Sequence, residues 1–322
     1  MKIFITGGAG YIGSHMVKLL SNNGHEITTF DNLSTGYRDA ILAGKFIEGS
    51  LLDRAMLDDV FAADAYDLVI HFAGSIVVGD SVINPSEYYR NNLVASLNLL
   101  DVMIKYGVTK LVFSSTAAIF GNPQYVPIDE IHPKSPINPY GYTKLMFEQM
   151  LEDFERAYGL RSVSLRYFNA SGADPDGFLG ERHNPETHLI PLALHATNPE
   201  NPKLTIFGND YDTPDGTCIR DYIHVADLCD AHLLAIKHLS TGGGSRQYNL
   251  GNGEGYSVLD VILCVERIAD KKVNIQYGQK RLGDPERLLA DASCIRKDWN
   301  WQPKYVLEDI VLHAWLWYQN YE

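Results

Sequence analysis

The sequence predicts an α/β fold in which a doubly wound parallel sheet is followed by a smaller mixed α/β domain. Over the first half of the chain, short apolar runs alternate with helical segments, which is typical of a parallel sheet covered by helices on both faces. A glycine-rich turn at residues 7–13 joins the first apolar run to the first helix. A chain of 322 residues can bury such a core as one large domain or as two coupled ones.

The predicted elements of the sheet are bounded by residues that start and stop regular structure. Gly24, Gly107 and Gly159 each follow a helical segment, where a glycine commonly ends a helix. Asn84 and Pro85 open the longest of these segments, as capping residues do. The predicted strands are 2–6, 26–30, 46–48, 68–72, 110–115 and 162–168, and the predicted helices are 14–23, 84–106 and 140–158.

The regular alternation ends at Asn169. Residues 173–184 are polar and rich in glycine and aspartate, so they predict a long loop, and the glycine run at 241–245 predicts an exposed one. We therefore predict a first domain at 1–168, completed by part of 220–250, and a second that is mainly 169–322. Further helices are expected near 189–196, 225–238, 258–269 and 306–319.

The composition excludes several classes of protein. A net charge of −13 and an isoelectric point near 5.3 argue against nucleic acid and anionic membranes as partners. No apolar run approaches the ~20 residues of a membrane-spanning helix, and no N-terminal signal pattern is seen. The four cysteines lack the spacing of metal ligands, so we predict reduced thiols, no metal site and a cytoplasmic location.

The glycine-rich turn predicts a site for a dinucleotide. Two registers fit, one starting at Gly8 and one at Gly7, and both end at Gly13. Such a turn lets backbone N–H groups at a helix N-terminus approach a pyrophosphate. Asp31 ends the second strand, eighteen residues past Gly13, where a carboxylate binds the ribose hydroxyls and repels a 2′-phosphate. The pattern favours NAD over NADP, although a plain strand–helix turn is the alternative.

Tyr140 and Lys144 are the candidates for acid–base chemistry. They lie four residues apart at the start of a predicted helix, which places both side chains on one face. A nearby ammonium and the positive end of the helix dipole are expected to lower the pKa of the phenol, so that it can exchange a proton with a sugar hydroxyl. Thr116 follows a predicted strand, at the edge where open α/β sheets place their ligands. A surface pair without function is the alternative for Tyr140 and Lys144.

These motifs resemble those of the extended short-chain dehydrogenase/reductases, and within them the UDP-glucose 4-epimerase family. The resemblance covers essentially the whole chain. It implies an NAD-binding Rossmann domain, a nucleotide-sugar domain, a homodimer, and a reversible hydride transfer through a 4-keto sugar that interconverts UDP-glucose and UDP-galactose. The motifs that carry it are 6–13 (TGGAGYIG), 31–33 (DNL), 71–74 (HFAG), 114–116 (SST), 140–144 (YGYTK), 166–169 (RYFN), 206–211 (IFGNDY), 215–217 (DGT) and 220–225 (RDYIHV).

The resemblance also implies roles for individual residues. Thr116, Tyr140 and Lys144 are the implied catalytic residues. The implied cofactor contacts are Gly7, Gly10, Tyr11, Ile12, Gly13, Asp31, Asn32, Leu33, Ser34, Thr35, Gly36, Ser50, Leu51, Phe72, Ala73, Gly74, Ser75, Ile76, Asn92, Thr116, Tyr140, Lys144 and Phe168. The implied substrate contacts are Thr116, Tyr140, Asn169, His188, Leu189, Thr205, Ile206, Phe207, Arg220, Arg281, Asp284 and Leu288.

Four positions depart from the family pattern, and one of them leaves the substrate open. Ser50 replaces an acid that faces adenine, Ile76 replaces a lysine near the cofactor, and His188 stands in place of an asparagine. Leu288 stands where other members have a tyrosine or a cysteine beside the sugar's 2-substituent. An epimerase acting on UDP-N-acetylhexosamines or another UDP-sugar is therefore an alternative.

Other functions on the same fold need residues of a different kind. Sugar-nucleotide dehydratases have an acid pair directly after the active-site threonine, and UDP-glucuronate decarboxylases have a glutamate in that stretch. Ala117 and Ala118 follow Thr116 here, and neither side chain can exchange a proton. A binding protein that keeps NAD as a sensor and has lost catalysis is the remaining alternative, against which the intact Thr116, Tyr140 and Lys144 argue.

Overall fold

The computed structural model describes residues 1–281 and 284–321. They divide into two compact units: the first comprises 1–121, 133–166 and 229–248, and the second 122–132, 167–228 and the remainder from 249. The strands are β1 Lys2–Thr6, β2 Glu26–Asp31, β3 Lys45–Glu48, β4 Leu68–His71, β5 Lys110–Thr116, β6 Arg161–Tyr167, β7 Asn169–Ser171, β8 Leu204–Phe207, β9 Ile219–His224, β10 Arg246–Leu250, β11 Gly255–Ser257, β12 Ile275–Gly278 and β13 Arg287–Leu288. The helices are α1 Tyr11–Asn22, α2 Arg54–Ala63, α3 Val78–Ile83, α4 Pro85–Tyr89, α5 Ala95–Lys105, α6 Pro139–Tyr158, α7 Leu189–His195, α8 Val225–Ser240, α9 Val258–Ala269, α10 Ser293–Trp299 and α11 Leu307–Tyr321.

A seven-stranded parallel sheet confirms the predicted fold class. Its strand order is β10–β6–β5–β4–β1–β2–β3, so the chain starts in the interior of the sheet and winds out to both edges. β1 pairs in parallel with β2 on one side and with β4 on the other. The point between β1 and β4 is therefore the topological switch of the sheet, where doubly wound folds bind ligands outside the carboxyl ends of the strands.

The core of the first unit forms because the central strands are apolar on both faces. Phe4, Val69 and Phe113 come from three neighbouring strands and are at most 2% exposed. They pack with Leu99 of α5 and Phe147 of α6 in one buried cluster. Strands that are covered on both sides read as continuous apolar runs, which is why the sequence pattern located them.

The structure corrects three helix predictions in the first unit. α1 begins at Tyr11 rather than at residue 14, because Gly10 already serves as its N-cap. The helix predicted over 84–106 is interrupted by a π-helical segment, Arg90–Val94. The wider π turn accommodates Asn92, whose amide binds the backbone of Ser75. α2 was not predicted; the side chain of Asp53 caps it by accepting a hydrogen bond from the Met56 N–H at 3.0 Å.

The second unit contains two small sheets and its own core. In the larger sheet, β9 pairs with β7, β11 and β13, and in the smaller one β8 pairs in parallel with β12. The core joins apolar side chains of α7, α9 and α11, among them Ile190, Val265 and Ile310, to Ile206 of β8. The predicted loop at 173–184 contains no helix or strand.

In the part of the chain that the structure describes, no helix combines the length and the apolar character that crossing a membrane requires.

His71 ends β4 as a buried, neutral imidazole. Its Nδ1 lies 2.6 Å from the Thr6 hydroxyl and its Nε2 lies 2.8 Å from the Ser96 hydroxyl. Burial, with a smaller effect of the Lys144 charge, lowers the pKa of His71 to about 3. The imidazole therefore supports the sheet only in its uncharged form.

We expect acid to destabilise the protein through His71. Between the unfolded pKa of about 6.5 and the folded value, the unfolded state binds more protons, so stability is lost as the pH falls through this window. One proton gives a slope of at most about 1.4 kcal/mol per pH unit. The urea midpoint of His71→Asn, measured between pH 6.5 and 4.5, should therefore change less with pH than that of wild type. An unchanged slope in His71→Asn would contradict the assignment.

Candidate functional site

The candidate dinucleotide site lies where β1 and β4 end, at the switch point of the sheet. Gly7 follows β1 with φ of +73°, and a Cβ there would lie 2.5 Å from the backbone nitrogen of Ala73, which follows β4. A Cβ on Gly13 would lie 2.2 Å from the carbonyl oxygen of Gly7. Both positions therefore require glycine, since real side chains do not make such contacts.

The turn at Gly7 leads directly into the N-terminus of α1. Gly10 is the N-cap, its N–H donates to the Gly7 carbonyl at 3.2 Å, and no side chain of the described residues caps this helix end. A helix N-terminus approached by backbone alone is a ready binding site for an anion, because its N–H groups and its dipole point at the ligand.

Asp31 is held beside the glycine turn by two backbone hydrogen bonds. Its carboxylate accepts from the N–H of Ala9 at 2.9 Å and from that of Leu33 at 2.8 Å. Burial raises the pKa of Asp31, and the two hydrogen bonds oppose the rise. An ionised carboxylate has about four acceptor positions, so two of them remain for hydroxyl groups of a ligand.

The loop after Asp31 packs against the glycine-rich turn. A Cβ on Gly36 would lie 2.8 Å from the carbonyl carbon of Ala9, and the Tyr37 N–H donates to the Ala9 carbonyl at 3.0 Å. The structure thus places the predicted contacts Asn32, Leu33, Ser34, Thr35 and Gly36 on a segment whose two ends both meet the glycine turn.

The segment after β4 is held by hydrogen bonds from Asn92, which lies in the π-helical segment. The Asn92 side-chain oxygen accepts from the Ser75 N–H at 2.8 Å, and its NH₂ group donates to the Ser75 carbonyl at 3.0 Å and the Thr143 hydroxyl at 3.1 Å. A Cβ on Gly74 would lie 3.8 Å from the Lys144 Nζ. Four predicted contacts, Gly74, Ser75, Asn92 and Lys144, therefore form one group.

Four further predicted cofactor contacts lie on the segments that follow β3 and β4. Ser50 and Leu51 follow β3, and the Leu51 carbonyl accepts from the Asn98 side chain at 2.9 Å. Ile76 is 43% exposed. The ring of Phe72, after β4, lies 4.9 Å from the ring of His232.

The candidate acid–base group consists of Thr116, Tyr140 and Lys144. Asn138 caps α6 by accepting from the Gly141 N–H at 2.8 Å, which starts the helix just before Tyr140. The hydroxyl groups of Thr116 and Tyr140 are hydrogen-bonded to one another. The Lys144 Nζ donates to the Ser114 carbonyl at 2.8 Å and lies 5.9 Å from the centre of the Tyr140 ring.

The prediction that the pKa of Tyr140 is lowered is wrong. Burial raises the pKa of the Tyr140 phenol, and the hydrogen bond with Thr116 only partly offsets that rise. Lys144 is itself buried, which lowers its pKa to about 8. Desolvation therefore outweighs the attraction between the ammonium and the phenolate, because the ammonium is held against the Ser114 carbonyl rather than against the phenol oxygen.

A buried ion pair holds the elements that carry this group. Arg166 of β6 donates from Nε and Nη2 to the two carboxylate oxygens of Glu148 in α6, at 2.9 and 2.7 Å. The Ser115 hydroxyl, at the end of β5, donates to the same carboxylate at 2.6 Å. Lys134 lies 3.7 Å away from it. The sequence motif contained Arg166, but no spacing pointed to Glu148.

In the second unit, four predicted substrate contacts lie close together. Arg220 of β9 forms an ion pair with Asp284. The guanidinium of Arg281 lies 3.9 Å above the ring of Phe207 at the end of β8. The Asp284 N–H donates to the Arg281 carbonyl at 3.2 Å, which joins the two pairs.

The remaining predicted substrate contacts lie on neighbouring elements. Leu288 of β13 is paired with Arg220 in the sheet, and the Asn169 side chain donates to the Asp221 carbonyl at 2.8 Å. The Thr205 hydroxyl, in β8 beside Ile206, accepts from Gln276 at 2.9 Å. Phe168 precedes β7, and its N–H donates to the Leu250 carbonyl at 3.3 Å. No described contact joins His188 and Leu189, at the start of α7, to this set.

One cluster was missed by the sequence analysis. Glu181, His183, Glu186 and His188 lie within eight residues of one another, and one donor atom from each lies within 4.8 Å of the others. The alternation of acid and imidazole at i, i+2, i+5 and i+7 is the signal that could have located it.

Comparisons with known proteins identify the family of this chain. Residues 3–251 match the family described as NAD dependent epimerase/dehydratase family. The chain is 50% identical to UDP-glucose 4-epimerase from Azospirillum brasilense, over 100% of this chain and 93% of that protein.

Solved structures of similar proteins extend the comparison. A UDP-glucose 4-epimerase from Brucella ovis in complex with NAD has a TM-score of 0.95 and 46% identity, with 98% and 97% of the two chains covered. An enzyme of the same name from Bifidobacterium longum, in complex with NAD+ and UDP, has a TM-score of 0.95 and 38% identity, with 100% and 99% covered.

We expect Arg166→Met to destabilise the first unit strongly. It leaves the Glu148 carboxylate buried without its main partner, a change that costs about 3–5 kcal/mol. Urea unfolding followed by circular dichroism measures the loss. Arg161→Met, on the same strand but exposed, should cost at most about 1 kcal/mol, and the double variant Arg166→Met/Glu148→Leu should regain most of the lost stability. A loss in Arg166→Met no larger than in Arg161→Met would show that the pair is not needed.

Proposed function

The chain belongs to the NAD dependent epimerase/dehydratase family, and on that basis we propose that it interconverts UDP-glucose and UDP-galactose with tightly bound NAD. The observation that carries the proposal is the hydrogen-bonded pair of Thr116 and Tyr140 with Lys144 beside it, on a sheet that also has the dinucleotide turn. The alanines after Thr116 offer no group for the proton transfers of a dehydratase or a decarboxylase.

The residues present fit NAD. The close approach at Gly7 and Gly13 and the uncapped start of α1 suit a pyrophosphate, and Asp31 has acceptor positions for the ribose hydroxyls. Lys144, with Asn92 and Ser75 beside it, would hold the nicotinamide ribose. When bound, NAD supplies the hydride acceptor for sugar C4 and returns the hydride after the 4-keto sugar has turned its other face.

Tyr140 is the proposed acid–base residue. Its phenol oxygen would take the proton of the sugar 4-hydroxyl and later return it, while Thr116 holds the 4-oxygen by a hydrogen bond. The raised pKa of Tyr140 makes its phenolate a strong base that is scarce at neutral pH. Lys144 would bind the ribose and hold Tyr140 in position through the shared helix turn.

Arg220 and Arg281 are the proposed partners of the diphosphate. Guanidinium groups bind phosphate oxygens in pairs of hydrogen bonds, and the two lie close together in an otherwise acidic protein. In this structure Arg220 forms an ion pair with Asp284. Asn169, His188, Leu189, Thr205, Ile206, Phe207 and Leu288 are the further proposed contacts of the nucleotide sugar.

We also propose a homodimer in the cytoplasm. The dimer is supported by the resemblance to the short-chain dehydrogenase/reductases. The cytoplasmic location is supported by the four free thiols, three of them buried, which suit a reducing compartment.

The decisive experiment measures bound cofactor and turnover in the same preparation. Purified protein is expected to release NAD on denaturation and to interconvert UDP-glucose and UDP-galactose without added cofactor. Stripped protein reloaded with NADP should stay inactive, because Asp31 repels the 2′-phosphate. Bound NAD without turnover of any UDP-sugar would favour the sensor instead.

We expect Tyr140→Phe to fold and to keep NAD but to lose epimerisation by about 10²–10⁴-fold, as is typical when an acid–base residue is removed. Coupled assay of UDP-galactose turnover and the absorbance of released NAD check the two parts. Tyr142→Phe, two residues along the same helix and exposed, should retain wild-type turnover. Near-normal turnover in Tyr140→Phe would remove Tyr140 from the mechanism.

We expect Leu288 to allow measurable turnover of the UDP-N-acetylhexosamine pair beside the main activity. Leucine is smaller than tyrosine, and differences in pocket size of this kind are worth about 1–3 kcal/mol. Leu288→Tyr should therefore lower kcat/KM for the N-acetylated pair relative to the glucose pair, by roughly 10–200-fold. Leu288→Met, similar in volume, should leave the ratio close to wild type; an unchanged ratio in Leu288→Tyr would show that Leu288 does not line the pocket.

A further inference from the structure

The segment before α7 carries a compact set of donor atoms that the proposed reaction does not use. Glu181, His183, Glu186 and His188 each offer one nitrogen or oxygen, and these four atoms lie within 4.8 Å of one another. The His183 Nδ1 lies 3.4 Å from a Glu181 oxygen and 3.5 Å from a Glu186 oxygen. The His188 Nδ1 contacts the same Glu181 oxygen.

Two of these spacings match those of a tetrahedral metal site. With metal–ligand bonds of about 2.0–2.2 Å, neighbouring donor atoms of a tetrahedron lie about 3.3–3.5 Å apart. The two His183 contacts already have this separation. The His188 Nδ1 and the Glu181 oxygen, which are in direct contact, would have to move apart for an ion to lie between them.

The donors also select the type of ion. Two imidazoles and two carboxylates suit zinc and the neighbouring divalent transition metals, whereas calcium and magnesium take oxygen ligands. Two carboxylates and two neutral imidazoles carry a charge of −2, which one divalent ion neutralises. We propose that Glu181, His183, Glu186 and His188 bind one divalent transition-metal ion, and that zinc fits them best.

Neighbouring groups hold two of these ligands in place. The second oxygen of Glu186 accepts from the N–H groups of Thr187 and His188, at 2.7 and 2.9 Å, so that the first oxygen is turned toward His183. The Glu181 side chain is only 5% exposed. Its charge therefore needs a cation beside it, whether a metal ion or protons on the two imidazoles.

The two carboxylates favour positive charge at the cluster. Burial of His183 opposes its charge, but the hydrogen bonds and charges of Glu181 and Glu186 raise the pKa of His183 to about 10. The charge of Glu181 likewise raises the pKa of His188.

The proposed ion would fix the start of α7. His188 is the N-cap residue of that helix, and its Nδ1 faces the cluster. Because 46% of the side chain remains exposed, Nε2 is left to meet a ligand. The metal site and a contact of His188 with the nucleotide sugar are thus compatible, and the metal site does not depend on the proposed reaction.

Metal binding to the full chain tests the proposal directly. The protein for this experiment should carry no histidine tag. It should also carry Cys294→Ser, because the exposed thiol of Cys294 could itself bind zinc. After dialysis against EDTA, titration with zinc chloride at pH 7 should give one ion per chain. Cobalt chloride in place of zinc should give the visible absorption of a four-coordinate ion.

Matched variants distinguish the cluster from binding elsewhere. Glu181→Gln and His183→Gln should each weaken zinc binding at least about 100-fold. Residues that only hydrogen-bond to a metal ligand already contribute up to about 100-fold in affinity, so loss of a ligand itself should cost at least as much. His195→Gln and Glu200→Gln, outside the cluster, should bind zinc as wild type does. Circular dichroism confirms the fold, and His188→Asn replaces any variant that does not fold.

Two results would overturn the proposal. If wild type takes up less than one zinc ion per chain, or if the cluster variants bind zinc as tightly as wild type, the four side chains form an ion-pair network and not a metal site. Both readouts are independent of turnover, so an inactive protein that binds zinc contradicts only the proposed epimerisation.

Discussion

The ion pair of Glu148 and Arg166 is the constraint on which the first unit depends. The two side chains are 1% and 0% exposed, so neither charge has water as an alternative partner. Their hydrogen bonds, with that of Ser115, join α6, β6 and the end of β5 at one point. Because Ser115 precedes Thr116 and Glu148 lies one turn beyond Lys144, the pair fixes both elements that carry the candidate catalytic group. A buried pair of this kind tolerates loss of neither partner, since the remaining charge would stay buried alone.

The dinucleotide and the nucleotide sugar need different features of the chain. Their proposed sites therefore differ in how easily they are recognised from the sequence. A dinucleotide needs backbone that comes close, which is why Gly7 and Gly13 stand out in the sequence and recur as the tightest contacts of the turn. A nucleotide sugar needs side chains from several elements. Arg220 and Arg281 are sixty-one residues apart in the sequence, and in the folded second unit both contact Asp284. Without a family resemblance, neither arginine differs from an ordinary surface residue.

Local sequence patterns predicted a helix correctly where the residues of that helix and its cap determine its ends. α9 spans the predicted 258–269, because Ser257 and Asp260 form a complete capping box before an amphipathic run. The predictions were wrong where residues far away in the sequence determine the local conformation or the pKa. Asn92 is bonded to Ser75, seventeen residues away, and lies in a π-helical segment that no periodicity indicates. The pKa of Tyr140 depends on burial, which the four-residue spacing to Lys144 does not reveal. The roles of the site residues in binding and catalysis stay predictions.

The sheet order has a consequence for the newly made chain. β10 is the edge strand beside β6, yet it is encoded about eighty residues later. At about 5–20 residues per second, the ribosome needs roughly 4–16 s to deliver it. During that interval the free edge of β6 presents unpaired N–H and C=O groups, to which another chain can add a strand. The edge of β6 therefore cannot gain its neighbour in the sheet until residues 246–250 have been synthesised.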